Sequence, residues 1–189
     1  MTTPIIGVAG PAGCGKSTFA DILIEKHGFV RIKVSGPLKA MLRAIGLTDR
    51  EIEGDLKERP CPLLCGQTPR HAMVTLGTEW GRELIDPDFW STAWAVSAER
   101  AISAGAKGIV ADDVRYPNEA NAVRRLGGSV VRLIGRAGVA ASSGHSSEAG
   151  AFAVDAELNN AGSVEDLERL AAGVVRHLCQ PADEARHFA

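Results

Sequence analysis

Between a short apolar run and a helix-forming stretch lies GPAGCGKST, Gly10 to Thr18, and this junction constrains the chain more than any other segment. Gly10, Gly15, Lys16 and Ser17 fit the pattern G-x-x-x-x-G-K-S/T, with Gly13 as an additional glycine inside the loop. Glycines let the backbone turn its N–H groups inward around phosphate oxygens. A lysine at this place reaches the β- and γ-phosphates of a nucleotide, and the hydroxyl after it can hold Mg²⁺. The flanks agree with that reading. PIIGVA (Pro4 to Ala9) is apolar and ends at glycine, as a fully buried parallel strand does. KSTFADILIEKHG then places Phe19, Ile22 and Leu23 at helical spacing, with Gly28 as a stop. A helix that starts at the loop aims its positive end at the same anion. Gly13, Gly15, Lys16, Ser17 and Thr18 are thus the expected phosphate-binding residues.

The rest of the chain alternates in the same manner. FVRIKVS reads as a second strand and GPLKAMLRAIGL as a helix entered through Pro37. Residues 48–68 are charged and proline-punctuated, with ERPCPLLCGQTP expected as a loop. PRHAMVTLGTEWGREL and DPDFWSTAWAVSAERAISAG read as two helices split at Asp86 and Pro87. KGIVADD is a buried strand, PNEANAVRRLGG a helix with proline at its start and glycine at its end, and SVVRLIG the strand after it. A Gly-, Ser- and Ala-rich segment, RAGVAASSGHSSE, is expected to have a mobile middle. A short strand around DAEL and a helix from Ser163 to Leu178 follow it. Strands alternating with helices imply one α/β domain over residues 1–189, three-layered, with a mainly parallel sheet.

Composition narrows the function classes. With 21 Lys and Arg against 23 Asp and Glu, there is no general basic field, so no stable nucleic-acid complex is expected. Any anion must be met by a local cation cluster. The opening MTTPIIGVAG lacks the cationic and long apolar segments of a secretion signal, and no run is long enough to span a bilayer, so a cytoplasmic location is expected. Cys61, Cys65 and His71 lack an obvious fourth metal ligand.

Charged residues cluster in five other places. Asp112 and Asp113 end a buried strand, the edge where open α/β sheets bind ligands; one of them can hold the hydration shell of Mg²⁺ and the other face a substrate. Arg115 and Glu119 lie four apart about Pro117, which fits either a substrate contact or ordinary capping and ion pairing. Lys39 and Arg43 share a helical face behind Ser35 and Pro37 and suit a second anion site, though such a face is as often simply solvated. Arg59, Arg70 and Arg82 add cations in the middle region; Trp90 offers a face for a base, while Trp80 and Trp94 read as core. Arg136 precedes a segment readable as a lid over residues 136–149, in which His145 and Glu148 can equally fasten an ordinary loop. There is no G-x-S-x-G elbow to support a hydrolase triad.

Taken in order, GPAGCGKST, GPLKAMLRAIGL, TPRHAMVTLGTEWGRELIDPDFW, VADDVRYPNEANAVRRLGG, GHSSE and DAELNNAGSVEDL resemble the phage-type deoxynucleoside monophosphate kinase family within the P-loop kinases, over residues 5–178. The more specific segments are LGTEWGR…DPDFW and DDVRYPNE. The resemblance implies a nucleoside monophosphate kinase-like P-loop NTPase fold and ATP- and Mg²⁺-dependent conversion of deoxynucleoside monophosphates to diphosphates. It implies an acceptor-binding helical region over about residues 37–104. Lys39, Arg43 and Arg70 are then expected around the acceptor phosphate, and Trp90, Asp113, Arg115 and Glu119 around its nucleoside. Lys16, Arg70 and the lid residue Arg136 are expected to serve the transfer, with Ser17 and Asp112 at the metal. DAELNNAGS is also similar to the adenine-side loop of dephospho-coenzyme A kinase and related enzymes, which brings Asn159 and Asn160 beside the ATP base. Expected partners are small nucleotides and, for protein, a second copy in a homodimer. The rival readings are a P-loop kinase of another small molecule such as dephospho-coenzyme A, a regulatory NTPase without an acceptor, and a nucleic-acid end kinase. Between Arg136 and His145 there is no Lys or Arg, a sparse lid for such a kinase.

Overall fold

The computed structural model describes residues 3–135 and 152–178. Arg136, His145, Glu148 and the lid expected over 136–149 lie outside the described residues, as does Cys179. The chain divides into two compact units, residues 1–33 with 95–189, and residues 34–94 inserted between them.

Among the described residues the first unit is built on five parallel strands: β1 (Ile5–Ala9), β2 (Val30–Arg31), β3 (Ile109–Ala111), β4 (Ser129–Ile134) and β5 (Ala156–Asn159), in the order β2-β3-β1-β4-β5. Every residue of β1 is buried, which accounts for its unbroken apolar run. Its alternate side chains serve opposite layers. Ile6 and Val8 join Phe19, Ile22 and Leu23 of α1 (Lys16–His27) and Leu167, Ala171 and Val174 of α7 (Val164–Leu178) in one core. On the other face a side chain at Gly7 would press on Val123 of α6 (Pro117–Arg125), so the glycine lets that helix lie close to the sheet. Three layers result, as the alternating pattern implies. α1 ends where expected: Gly28, at φ +72°, returns its N–H to Ile24 O.

The second strand is shorter than its sequence suggests. Val30 and Arg31 pair with Ile109 and Val110, and the Ile32 N–H still reaches Val110 O, but β3 is only three residues long and the regular pairing ends at Arg31.

The second unit holds α2 (Gly36–Ala44), α3 (Asp49–Ile52), a 3-10 turn at Pro62–Leu64, and α4 (Pro69–Thr75), which widens into a π-helix over Leu76–Ile85. It includes the start of α5 (Phe89–Ser103), which follows a break at Asp86. The stretch 48–68 is therefore less loop-like than its charge and prolines suggest. Thr48 and Glu51 form a capping box, with the Thr48 N–H and hydroxyl both donating to Glu51 Oε2 at 2.7 and 2.8 Å. Among the described residues no helix is long and apolar enough to cross a membrane.

Candidate active site

In the first unit the loop after β1 makes three left-handed glycine turns, at Gly10 (φ +134°), Gly13 (φ +77°) and Gly15 (φ +96°). The space around them is as restrictive as the dihedrals: a Cβ on Gly10 would overlap the Leu133 carbonyl, and one on Gly15 the side-chain amide of Asn160. Cys14 turns inward and is fully buried, which anchors the middle of the loop to the core. Lys16 folds back over the loop's start, its Nζ donating to Gly10 O and Pro11 O at 2.7 Å each, so its ammonium stands at the cradle's mouth. Ser17 and Thr18 are exposed at the head of α1.

Asn159 ends β5 and Asn160 follows it beside this loop. Asn159 is exposed, whereas Asn160 is buried and donates from Nδ2 to Cys14 O at 2.9 Å, tying the cradle to β5. That role differs from the one expected beside a base. It follows from burial: the amide satisfies a loop carbonyl that would otherwise be unpaired.

Asp112 lies just past β3, and it is buried. Arg31 Nε stands 3.3 Å from Asp112 Oδ2, yet among the described residues neither carboxylate oxygen has a hydrogen-bond partner and neither does Arg31 Nε. Burial pushes the Asp112 carboxyl above the usual carboxylate range; Lys33 and Arg31 pull it down, and the Asp113 charge adds to the rise. A buried carboxylate with unmet oxygens suits a hydrated cation, so Asp112 fits Mg²⁺, as do the exposed Ser17 and the glycine cradle. Arg31 also donates to Ser17 O at 3.1 Å and Asp21 Oδ1 at 2.8 Å, which links the head of α1 to the end of β3. Arg31 and Lys33 are absent from the sequence expectations. Their signal was present in FVRIKVS, where two cations alternate with apolar residues as on one face of an extended segment, although the strand itself ends at Arg31.

Asp113 is half-buried, and the Arg115 side chain is exposed. Glu119 is buried and accepts the backbone N–H groups of Arg115 (2.7 Å) and Tyr116 (3.1 Å), capping α6. Glu119 thus has a capping part, one of the two readings of the Arg115 and Glu119 spacing.

In the second unit Lys39 and Arg43 do lie along one face of α2, and both are turned onto the α3 segment. Lys39 Nζ pairs with Glu53 at 2.7 Å and Arg43 with Asp49 at 2.8 Å. Arg70, in the first turn of α4, pairs with Glu58 at 2.8 Å, and its N–H donates to Lys57 O at 2.9 Å. Trp90 is a core residue, 4% exposed, against the expectation that it faces a base. It packs on Trp80 and Phe89, and its indole N–H donates to Gly77 O at 2.7 Å. Trp80, read as core, is only half-buried; Trp94 is fully buried as read. Helical spacing alone gave no means of ranking these rings. Cys61 is buried with its thiol 3.2 Å from Glu51 Oε1, Cys65 is exposed, and among the described residues no three His, Cys, Asp or Glu are grouped to hold a metal.

An all-parallel sheet whose central strand runs through a glycine cradle into a helix, with Lys16 at the mouth, defines the P-loop kinase fold. A family model described as deoxynucleotide monophosphate kinase matches residues 67–170. A curated protein of Acanthamoeba polyphaga mimivirus, carried under the provisional name deoxynucleotide monophosphate kinase, is 30% identical over 161 residues, covering 76% of this chain and 80% of the relative. The chain belongs to the deoxynucleotide monophosphate kinase family.

Proposed function

We propose that this protein transfers the γ-phosphoryl group of ATP to a phosphate oxygen of deoxynucleoside monophosphates, giving the diphosphates and ADP. The observation that carries the reading is the family match over residues 67–170, which spans both specific segments, LGTEWGR…DPDFW and DDVRYPNE. In the transfer the bond from the γ-phosphorus to the β–γ bridging oxygen breaks as one to the acceptor oxygen forms. That oxygen is already ionised, so no strong base is required and the protein positions and neutralises. Lys16 serves the donor phosphates, and Asn160 keeps the cradle in shape by holding Cys14 O. Ser17 and Asp112 would hold Mg²⁺, which when bound neutralises charge on the β- and γ-phosphates.

Lys39, Arg43 and Arg70 are assigned to the acceptor phosphate, and Asp113 and Arg115 to its nucleoside. Glu119 is assigned a positioning part, because its cap fixes the backbone N–H groups of Arg115 and Tyr116. Arg70 and Arg136 are assigned to charge balance during transfer. A cytoplasmic setting belongs to the same reading.

The test is ADP release from Mg·ATP with each deoxynucleoside and ribonucleoside monophosphate and dephospho-coenzyme A in turn. Deoxynucleoside monophosphates are expected to stimulate it, with the diphosphate resolved by chromatography, and Lys16→Ala to lower turnover by about a hundredfold or more. Turnover within a few-fold of wild type in Lys16→Ala, or stimulation by dephospho-coenzyme A alone, would overturn the assignment.

A further inference from the structure

Three cations of the second unit come from neighbouring backbone: Lys39 from α2 and Arg70 from α4, two helices that pack on one another, and Lys57 from the turns after α3, whose carbonyl accepts the Arg70 N–H. Two of them are matched, Lys39 by Glu53 and Arg70 by Glu58. Lys57 is half-buried, and among the described residues its ammonium has no hydrogen bond or ion pair. Three cations against two carboxylates leave one positive charge uncompensated.

The backbone around Lys57 is fixed by consecutive turns. Its N–H donates to Gly54 O at 3.4 Å, Leu56 N–H to Arg50 O at 3.1 Å, and Arg59 N–H to Leu56 O at 3.0 Å. The Lys57 carbonyl accepts the Arg70 N–H, so these two cations leave the backbone at hydrogen-bonded positions. Burial lowers the Lys57 amine below its ordinary value; repulsion from Arg70 and Lys39 adds to this, against the pull of Glu53 and Glu58. An ammonium held in this way gains most from a nearby dianion. The two carboxylates are the more exposed members of their pairs, at 39% and 65% against 13% and 48%, so they can turn to water as an anion takes their place.

We propose that Lys57 anchors the phosphate of the acceptor, completing a three-cation site in which Lys39 and Arg70 exchange Glu53 and Glu58 for that phosphate. The inference rests on the kinase reading above and narrows it: the site takes a terminal monoester phosphate, dianionic at neutral pH, and has no use for the unphosphorylated nucleoside. Three donors around one phosphate also suit its three free oxygens.

The first arm of the test needs no turnover. Protein carrying ¹³Cε-lysine is titrated with inorganic phosphate, a deoxynucleoside monophosphate and the matching deoxynucleoside, the Lys57 signal being assigned by its loss in Lys57→Arg. Saturable movement with the first two and none with the deoxynucleoside is expected. A Lys57 signal indifferent to both phosphates overturns the proposal.

The second arm is steady-state kinetics with the best acceptor. Lys57→Gln is expected to raise the acceptor KM about tenfold while the ATP KM moves less than about twofold, and Lys57→Arg to recover most of the loss. Melting curves confirm that each variant is folded. An unchanged acceptor KM, or equal changes for both substrates, overturns the proposal. A wild type that shows the phosphate response but phosphorylates no monophosphate would sink the kinase reading and leave the anion site standing. Turnover that Lys57→Gln fully retains would do the reverse.

Discussion

Asp112 and Lys57 are both held where burial opposes ionisation, the carboxyl raised and the amine lowered. For Lys57 the consequence for stability has a definite sign. In the unfolded chain it titrates in the ordinary lysine range, about 10.4. Below its lowered folded value both states hold the proton and the cost of burying the charge is complete. Between the two values the folded chain has released the proton and the cost fades as pH rises. Lys57→Met is therefore expected to melt higher than wild type at neutral pH, with the gap narrowing toward pH ~10 in parallel thermal scans; a gap indifferent to pH would assign the gain to packing. The same substitution is expected to weaken acceptor binding, the exchange of stability for function that charged sites often show. Sequence offered no route to Lys57. A lone lysine inside DLKER has no periodicity to read, and only the fold brings it to Lys39 and Arg70. Lys16 and Ser17 were legible because their chemistry is written in consecutive positions.

At the level of elements, the strand, loop and helix around the cradle are legible for the same reason: each is coded by its own neighbours. The elements that escaped are coded elsewhere. α3 lies in a stretch dominated by charge and proline, although its start carries a readable T-x-x-E capping box at Thr48 and Glu51. The widening of α4 into a π-helix has no hydrophobic period to announce it. What holds it is a contact from the next helix. The Trp90 indole lies so close to Gly81 that a Cβ there would overlap it, and its N–H is spent on Gly77 O. Trp90→Phe keeps most of the apolar packing and removes that donor, so a loss of about 1–3 kcal/mol is expected in urea unfolding. A loss of a few tenths would mean that the Gly77 carbonyl finds another donor and that the π-turn does not depend on Trp90.

For the molecule as a whole, the alternation of strands and helices announces a parallel sheet, but strand order is a matter of long-range pairing that no local pattern encodes. β1 is central, paired to β3 on one side and β4 on the other, while among the described residues β2 and β5 are edges. The amides of Ile5–Ala9 are accordingly expected to exchange with deuterium most slowly, and those of Val30–Arg31 and Ala156–Asn159 sooner. Edge strands that outlast β1 would contradict this ordering. The register has a further consequence during synthesis. Ile5 pairs with Ile109, and Val8 with Val131, so β1 precedes its sheet neighbours by roughly a hundred residues of translation. At about 5–20 residues per second, that wait lasts on the order of ten seconds. Throughout it Ile5, Ile6 and Val8 lack the sheet neighbours that pair with them in the fold, and theirs is the segment that a ribosome-associated chaperone would most need to cover.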